Sequence, residues 1–562
     1  AMGTRLLKEY INYPLLDKDK IIERQKDVKY LIDNTLLRED LRENLASTYD
    51  MQRILSKIVF GNENAKDIRA LYYTFKSYIK IIELWPEKFS SIKTDFLGEL
   101  CNEIDRYLVL NPPFSVREGG MINENFNPLI SELNMILKHG KEYLVNIEQE
   151  KTGIKFLKIK YNKVFGYFIE VSKTNIKDVP SRYVRKQTLA NCERYITEEL
   201  KEYEDKIINA KARLVELEYN LFKELSNLIK QEKDVLLQLS NIVAYIDVMA
   251  SYAFVSISNG YCLPEFNDEG VIHILNGRHP IVEQLIPTQF IENDVHFTKE
   301  KNFIILTGPN MAGKSTYMKQ IALICIMAQM GMYVPAKSAN LCIVDKFLTR
   351  IGASDDILTG QSTFMVEMSE VSQILNTATS KSLIILDEVG RGTSTYDGMA
   401  LATAISSYIH DNIRAKTIFA THYHELNELE SKYERVVNYR INVEEKNSRV
   451  IFLRTITCGS ADKSYGTYVA KLAGLPQSIL RESKLILSKL EDRNNMVVKN
   501  ENIGQLSLFD NPSYVEKVNE EKRNEELEEL RDEIKQIDIN NITPLKALNI
   551  LQDLKDFVNN IE

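Results

Sequence analysis

The chain has 562 residues, of which 44% are hydrophobic and 27% are charged, with a formal net charge of −8. This length predicts several domains, and this composition is typical of globular proteins. The apolar stretch at 321–334 is too short to span a bilayer, no secretory signal is visible, and six scattered cysteines without a CxxC pair indicate neither a zinc site nor a disulfide framework.

Charge is distributed unevenly along the chain. Residues 151–191 carry ten Lys or Arg against two acids, whereas residues 490–538 carry fourteen acids against seven bases. The net charge alone argues weakly against a nucleic-acid partner, but the distribution matters more than the sum. It predicts a basic module in the first half of the chain and an acidic tail.

The first half of the chain changes character twice. Residues 1–140 carry apolar side chains at helical spacing, residues 150–180 are rich in β-branched and aromatic residues, and residues 197–241 return to one long charged helix. Lysines alternate with the strand residues of the middle segment. Two helical arms that flank a small basic β module predict an extended lever with a tip.

From residue 262 the pattern becomes α/β. Short apolar strands are predicted at 301–307, 382–387 and 416–421, with helical segments between them, which favours a parallel sheet with crossover helices. Beyond residue 490 an acidic stretch predicts a flexible linker with some helix, and a short helical unit follows from Thr543.

One motif carries a specific chemistry. Residues 308–315 match the pattern GxxxxGK(S/T), after a predicted strand and before a predicted helix. In this context backbone N–H groups face phosphates, Lys314 reaches the β and γ phosphates, and the Ser315 hydroxyl ligates Mg²⁺. The motif therefore predicts a phosphate-binding loop of an ATPase.

The ends of two other predicted strands carry candidate catalytic groups. Asp387 and Glu388 follow one strand, and His422 follows another. Alone, the acidic pair would be a solvated strand end and the histidine a structural residue. Beside a phosphate-binding loop, we expect Asp387 to hold the Mg²⁺ shell, Glu388 to act as general base, and His422 to sense the γ-phosphate or position the water.

Several longer runs point to one family. TGPNMAGKSTYMKQ, LTRIGASDDILTGQSTFMVEMSE, LIILDEVGRGTSTYDG and ATHYHEL resemble the ATPase domain of the MutS family of DNA mismatch-repair proteins, as do NGRHPIVEQ upstream and KSYGTYVAKLAGLP downstream. GYFIEVSKTN and YVRKQTLANCERYITEELKEYE are similar to the family's clamp and lever. The resemblance covers essentially the whole chain.

The resemblance implies a composite ATP site in a homodimer or tetramer that takes ATP/ADP and Mg²⁺. Ser362 and Arg391 would act at the partner's site. Phe290 and Ile291 resemble the pair that packs on adenine, and Arg454 matches the position on the other side of the base. The predicted nucleotide contacts are Gly308, Pro309, Asn310, Met311, Ala312, Gly313, Lys314, Ser315, Thr316, Phe290, Ile291 and Arg454.

The basic module would be the family's clamp, which closes over the backbone of double-stranded DNA. Its predicted contacts are Lys155, Lys158, Lys160, Lys163, Lys173, Arg182, Arg185 and Lys186. The resemblance further implies MutL as a partner, a cytoplasmic, nucleoid-associated location in a bacterium and no membrane. The acidic linker holds a motif similar to the sliding-clamp peptide of repair proteins: Gln505, Leu506, Ser507, Leu508 and Phe509.

We therefore expect a multidomain α + α/β protein with an ABC-like P-loop domain. The expected segments are a helical core and lever at 1–137 and 198–262, an inserted β clamp at 138–197, the P-loop ATPase at 263–459, a helix-turn-helix dimerisation element at 460–490, the acidic linker at 491–540, and C-terminal oligomerisation helices at 541–562.

Full members of the family carry two further N-terminal domains, one of which reads the mismatch with a Phe-x-Glu wedge. Residues 168–170 and 290–292 match that pattern, but they fall in the clamp and the nucleotide-binding segment, so neither is expected to be a wedge. We expect the chain to be a fragment that starts inside the core domain.

Two alternative functions stay open. A transporter-type or chromosome-structuring ATPase also uses P-loop dimers, but it would need an LSGGQ-like signature or a very long coiled coil. A scaffold that binds nucleotide without hydrolysing it would be at odds with Lys314, Asp387, Glu388 and His422.

Overall fold

The computed structural model describes residues 2–499, apart from 163, 165, 310, 311, 353–361, 447, 448 and 461–464. The first part of the chain is helical, as the sequence predicts. Its helices are α1 (Met2–Asn12), α2 (Lys18–Asp33), α3 (Thr35–Ala46), α4 (Met51–Phe60), α5 (Ala65–Leu84), α6 (Pro86–Phe89), α7 (Asp95–Tyr107) and α8 (Pro128–Thr152).

Local sequence explains where the central helix α5 begins. The Asn64 side chain accepts the Asp67 N–H at 2.9 Å, and the Asp67 carboxylate accepts the Asn64 N–H at 3.1 Å. Such a capping box satisfies two N–H groups that a helix start otherwise leaves unpaired. Downstream, Phe75 and Tyr78 are fully buried in the helical core.

A small antiparallel sheet interrupts the helices, with two of its strands inside the segment 150–180 predicted to form strands and two beyond it. Its strands run in the spatial order β1-β2-β4-β3, with a hydrophobic cluster of its own. The predicted boundary at 137/138 falls inside α8, so a single helix runs from the helical domain into this module. The strands are β1 (Lys158–Asn162), β2 (Gly166–Ser172), β3 (Val184–Thr188) and β4 (Cys192–Ile196).

The single long helix predicted for 197–241 is wrong. The chain forms α9 (Glu198–Gln231) and then α10 (Lys233–Asn259), with a break at Glu232, whose N–H bonds Ile229 O at 3.2 Å. Over the described residues, α10 is also the one helix long and apolar enough to cross a membrane by length and composition. Because 56% of that stretch is buried, α10 has the character of a core helix.

The α/β part contains a six-stranded sheet in the order β10-β11-β12-β8-β13-β14 and a four-stranded sheet in the order β5-β9-β6-β7. Its strands are β5 (Glu265–Phe266), β6 (Ile272–Gly277), β7 (Asn293–Phe297), β8 (Phe303–Thr307), β9 (Ser338–Leu341), β10 (Phe347–Arg350), β11 (Leu383–Asp387), β12 (Lys416–Ala420), β13 (Val436–Lys446) and β14 (Arg449–Cys458). Its helices are α11 (Val282–Leu285), α12 (Lys314–Gln329), α13 (Thr363–Thr377), α14 (Thr395–Tyr408) and α15 (Leu429–Lys432).

The six-stranded sheet has the predicted parallel core. Strands β10, β11, β12, β8 and β13 are parallel, and only β14 runs antiparallel, against β13. Successive residues of these strands contribute to two different hydrophobic clusters, one on each face. Strands buried on both faces read as continuous apolar runs, which is why the sequence signalled them so clearly.

The described remainder of the chain forms a separate unit from Thr467 onward. Its helices are α16 (Gly466–Leu472) and α17 (Gln477–Lys499). The predicted sliding-clamp motif at Gln505–Phe509 and the unit at 541–562 lie outside the described residues, and the predicted domain boundaries stay predictions.

The end of α12 joins the α/β part to the helical part. The Gln329 side chain is 1% exposed; its amide nitrogen donates to Leu15 O at 3.0 Å and Val344 O at 2.9 Å, and its amide oxygen accepts the Val344 N–H at 2.8 Å. The backbone oxygen of Gln329 also accepts the Leu15 N–H at 3.1 Å.

We expect Gln329→Ala to lower the free energy of unfolding by about 2–4 kcal/mol, because three backbone groups, the two of Val344 buried and that of Leu15 half-buried, lose their partner. Urea denaturation measures this change. The matched control is Gln373→Ala on the exposed side of α13, for which we expect less than about 0.5 kcal/mol. Equal effects of the two substitutions would contradict the role assigned to Gln329.

Candidate functional site

Strand register brings the predicted catalytic groups to one edge of the six-stranded sheet. Asp387 at the end of β11 pairs with Ala420 at the end of β12, and Ala420 pairs with Leu306 in β8. The three strands therefore end in one row. The loop after β8, the acidic pair after β11 and His422 after β12 all emerge at this edge, which is where open α/β sheets place their ligands.

The loop after β8, predicted to bind phosphate, has two glycines with positive φ angles. Gly308 and Gly313 have φ angles of +148° and +108°, which only glycine adopts easily. Lys314 opens α12, and its ammonium donates to Gly308 O at 2.6 Å. Burial lowers the pKa of Lys314, while Glu388 and Asp387 oppose that shift. Asn310 and Met311 lie outside the described residues.

Ser315 and Asp387 form the predicted metal-binding pair. The Ser315 hydroxyl donates to Asp387 Oδ2 at 2.6 Å, and partial burial raises the pKa of the Asp387 carboxyl, against the lowering effect of that hydrogen bond. Two adjacent oxygens suit a hard cation such as Mg²⁺, which typically keeps waters and phosphate oxygens as its other ligands. Within the described residues, no group of three or more His, Cys, Asp or Glu could hold a metal by itself.

Glu388 has an unusual backbone conformation. Its φ angle is +53°, in the left-handed region that costs a non-glycine residue free energy and is found at functional sites. Its carboxylate lies 3.8 Å from the Lys314 ammonium and 2.5 Å from Arg391 Nη1. Arg391, predicted to act at a dimer interface, thus pairs with a carboxylate of its own chain.

His422 lies beyond the end of β12 with an exposed side chain. Its ring centroid is 4.1 Å from that of Tyr423, and neighbouring protein groups lower its pKa by desolvation, partly offset by the charge of Glu388. A neutral imidazole at neutral pH can accept as well as donate a hydrogen bond.

The three residues predicted to surround a base line one cavity. Phe290, Ile291 and Arg454 border a space of about 200 Å³ together with Gly313 and Thr316 of the loop and helix α12. They are far apart in sequence, so the fold itself assembles this cavity. A predominantly apolar cavity beside the loop after β8 has the character of a small-ligand site.

The sequence did not identify Asn293 as a residue that connects two sides of this cavity. The Asn293 side chain donates to Arg454 O at 3.0 Å and accepts the Ile456 N–H at 2.8 Å. Arg454 itself has a φ angle of +57°. No sequence signal near Asn293 could have identified this contact, because its partners lie on a strand 160 residues away.

Ser362 does not line the cavity around Lys314. It caps α13, with its hydroxyl accepting the Met365 N–H at 3.2 Å, and it is exposed. Its neighbour Thr363 lines an adjoining cavity of about 270 Å³ that Asp387 and Glu388 also border.

The basic residues of the β module fall into two groups. Three of the predicted DNA contacts pair with acids of the same chain: Lys160 with Glu170 at 2.7 Å, Arg182 with Glu148 at 2.7 Å, and Arg185 with Glu193 at 3.5 Å. The others are exposed and have no ion-pair partner in the part of the chain that the structure describes: Lys155, Lys158, Lys173 and Lys186. Lys163 lies outside the described residues.

The candidate wedge patterns occupy other positions, as expected. Phe168 is 2% exposed within β2, with the Arg194 guanidinium 4.6 Å from its ring centroid. Phe290 lines the cavity beside the loop. Neither ring stands free on a surface.

Comparison with known proteins identifies close relatives. The family model for MutS domain III matches residues 1–253, and that for MutS domain V matches residues 304–491. The chain is 49% identical to the DNA mismatch repair protein MutS of Fusobacterium nucleatum subsp. nucleatum over 99% of this chain and 63% of that protein. The proteins of the same name from Clostridium tetani and Acetivibrio thermocellus are 46% and 45% identical, over 100% and 99% of this chain and 67% and 65% of their own lengths.

The raised pKa of Asp387 predicts a pH-dependent gain in stability for Asp387→Asn. Because the pKa of Asp387 is higher in the folded than in the unfolded protein, ionising this carboxyl lowers the stability of the folded state. This loss of stability is complete at pH values above the folded pKa, and it disappears as the pH falls toward the ordinary value of 3.8. The asparagine retains an oxygen that can accept from Ser315. We expect a gain at pH 8, kept below about 1 kcal/mol by solvent screening, that shrinks toward pH 4.5.

Urea denaturation over this pH range measures the gain. Asp205→Asn, which changes an exposed acid on α9, is the control and should leave stability unchanged at every pH. A loss of stability for Asp387→Asn at pH 8 would disprove the proposed cost of the buried charge.

Proposed function

The chain belongs to the MutS family of DNA mismatch-repair proteins, and on that premise we propose that it is a DNA-clamping ATPase. It spans about two thirds of the length of the relatives compared above. The single observation that carries the proposal is the cluster of Lys314, Ser315, Asp387 and Glu388 at one sheet edge, where Ser315 bonds Asp387 and the Lys314 ammonium lies 3.8 Å from the Glu388 carboxylate.

We propose that ATP binds across this edge. The Lys314 ammonium and the N–H groups at the start of α12 would bind the β and γ phosphates, since a helix N-terminus favours anions. The base would enter the cavity of Phe290 and Ile291, with Arg454 at its border. The proposal is supported by the position of that cavity directly beside the phosphate loop, since Gly313 and Thr316 line it.

Ser315 and Asp387 would hold Mg²⁺, which supplies neutralisation of the phosphate charge when bound. Their oxygens already lie 2.6 Å apart. The raised pKa of Asp387 reflects a carboxylate held with little solvation, and a cation beside it would lower that pKa again. Ion binding would thus relieve an electrostatic cost that the protein alone leaves uncompensated.

In the hydrolytic step we assign Glu388 as the general base. It would take a proton from a water molecule whose oxygen attacks the γ-phosphorus, while the bond to the β-phosphate oxygen breaks and ADP leaves. His422, at the same edge, would hydrogen-bond the γ-phosphate or that water. Lys314 and Arg391 both lie within ion-pair distance of the Glu388 carboxylate.

We propose that the complete site is composite, in an ABC-like dimer. Ser362 is exposed at the N-terminus of α13 and absent from the lining of its own chain's phosphate cavity, so it is available to a second copy. Arg391 is also exposed at the sheet edge, although it pairs with Glu388. A second copy that approaches this edge would meet both residues.

The β module would contact the backbone of double-stranded DNA. The lysines without an ion-pair partner among the described residues would bind phosphates most strongly. The basic residues that pair with an acid must first break that ion pair. ATP state would control closure of the lever and clamp, with slow hydrolysis that serves switching. MutL and the sliding clamp are proposed partners, the latter through residues 505–509, in a nucleoid-associated cytoplasmic setting.

The assignment of the base is tested by Glu388→Ala. We expect hydrolysis to fall by about 10²–10⁴-fold, as for loss of a general base, while ATP still binds. Phosphate release measures the first quantity, and binding of a fluorescent non-hydrolysable ATP analogue measures the second. Glu425→Ala, an exposed acid three residues beyond His422, is the control and should hydrolyse ATP normally.

Wild-type hydrolysis by the Glu388→Ala protein would rule out the assignment. Binding of ATP without any phosphate release by the wild-type protein would instead favour a scaffold that only binds nucleotide.

The clamp proposal makes a prediction for two lysines on one strand. Lys158 and Lys160 are both exposed on the same face of β1, but only Lys160 is held by Glu170. We expect Lys158→Gln to weaken binding to a DNA duplex and to reduce the slope of log affinity against log salt by about 0.9, as for one lost phosphate contact. Lys160→Gln is the matched control and should change the slope much less.

Binding over a salt series decides this prediction. A salt-independent affinity of the wild-type protein would reject the phosphate clamp altogether. Equal changes for the two variants would reject the distinction between paired and unpaired lysines.

A further inference from the structure

The turn that carries Glu388 is held at Gly390 from two sides. The Glu367 carboxylate of α13 accepts the Gly390 N–H at 2.5 Å, and the Tyr423 hydroxyl donates to Gly390 O at 3.0 Å. Glu367 and Tyr423 are 6% and 4% exposed. Both backbone groups of one residue, two positions after Glu388, are therefore fixed by buried side chains.

Close packing leaves this turn little freedom. Gly390 has a φ angle of +93°, and a Cβ atom there would lie 2.6 Å from Gly398 O. A Cβ atom on Gly392 would lie 3.0 Å from the Cβ of Phe364 in the first turn of α13. Helix α13 therefore touches the turn at two points, through Phe364 and through Glu367.

Glu367 has no assigned role so far, and its environment is unusual for a carboxylate. It is buried and its nearest cation, Arg350, is 4.0 Å away and is itself paired with Glu370 at 2.8 Å. A buried carboxylate is costly unless it is paired and hydrogen-bonded. Its short hydrogen bond to the Gly390 N–H, in the turn that carries Glu388, distinguishes it from Glu370 on the same helix.

We propose that Glu367 is a positioning residue for hydrolysis. By holding the Gly390 N–H it fixes the turn in which Glu388 keeps its left-handed conformation, and thereby aims the Glu388 carboxylate at the attacking water. This inference rests on the proposed ATPase function. It also links the base to α13, whose N-terminal cap is Ser362.

The physical reason lies in the strain at Glu388. A φ angle of +53° persists only where surrounding contacts impose it. Without Glu367 the buried Gly390 N–H has no acceptor, and the turn relaxes to satisfy it. A displacement of about 1 Å in a catalytic group costs on the order of 10² in rate. Among the described residues, Glu367 lines neither the cavity around Lys314 nor the base cavity, so we expect nucleotide binding to be retained.

Three substitutions test the inference. Glu367→Ala removes the acceptor and should lower kcat about 10–100-fold, with KM for ATP within about threefold of wild type. Glu367→Gln keeps an oxygen that can accept the Gly390 N–H and should restore kcat to within about fivefold of wild type. Glu370→Ala is the matched control: this acid is one turn along, pairs with Arg350 and does not reach the turn, so kcat should stay within about twofold.

The measurements are steady-state phosphate release, binding of a non-hydrolysable ATP analogue, and thermal unfolding of each variant. A general loss of structure would raise KM and weaken analogue binding, whereas lost positioning moves kcat alone. If Glu367→Ala does not fold, Tyr423→Phe decides, because it removes only the hydroxyl that holds the other side of Gly390. It should lower kcat several-fold at unchanged KM.

The outcomes separate this inference from the proposed function. If the wild-type protein does not hydrolyse ATP, the proposed function fails first. If the wild-type protein hydrolyses ATP, Glu388→Ala abolishes that activity and Glu367→Ala leaves kcat unchanged, the positioning role is overturned while the ATPase stands. Unchanged kcat for Tyr423→Phe, where Glu367→Ala cannot be measured, overturns it equally.

Discussion

The register of three parallel strands is the constraint on which the candidate site depends. Asp387, Ala420 and Leu306 stand in one row, so the loop with Lys314, the acidic pair and His422 emerge together at one edge. These strands are buried on both faces by two hydrophobic clusters. A slip of one residue would exchange the two faces, so the packing that stabilises the sheet also fixes the chemistry at its end.

Several groups at that edge are in energetically unfavourable states. Burial raises the pKa of Asp387 and lowers that of Lys314, which means that both charged forms are disfavoured relative to water. Glu388 adds a left-handed backbone. Such unfavourable states are typical of functional sites and are not expected where residues contribute only to stability. These costs make physical sense if a cation and a polyphosphate complete the electrostatics and if Glu388 must point where an ordinary turn would not aim it.

Residue patterns could predict local features, and the family resemblance added one distant group, Phe290, Ile291 and Arg454, which line one cavity. The glycine and lysine spacing of residues 308–315, the apolar strands and the acidic pair each lie within one short segment, so their structure follows from nearby residues. The roles of Asn293 and Glu367 could not be predicted, because their partners are distant backbone groups that only the fold brings close. The sequence likewise showed a basic module but could not separate Lys158 from Lys160, since their difference depends on the position of Glu170.

Helix α12 connects the two halves of the molecule that the proposed function must couple. It begins at Lys314 in the phosphate loop and ends at Gln329, which is hydrogen-bonded to Leu15 in both directions. Its 16 residues span about 24 Å and ten of them are buried, so we expect it to move as a rigid body. Because the next residue, Met330, also accepts a hydrogen bond from Arg24 of α2, any shift of the phosphate loop along the helix axis must strain contacts in the helical part. The coupling that the proposed function requires could therefore pass from α12 directly into the helical part.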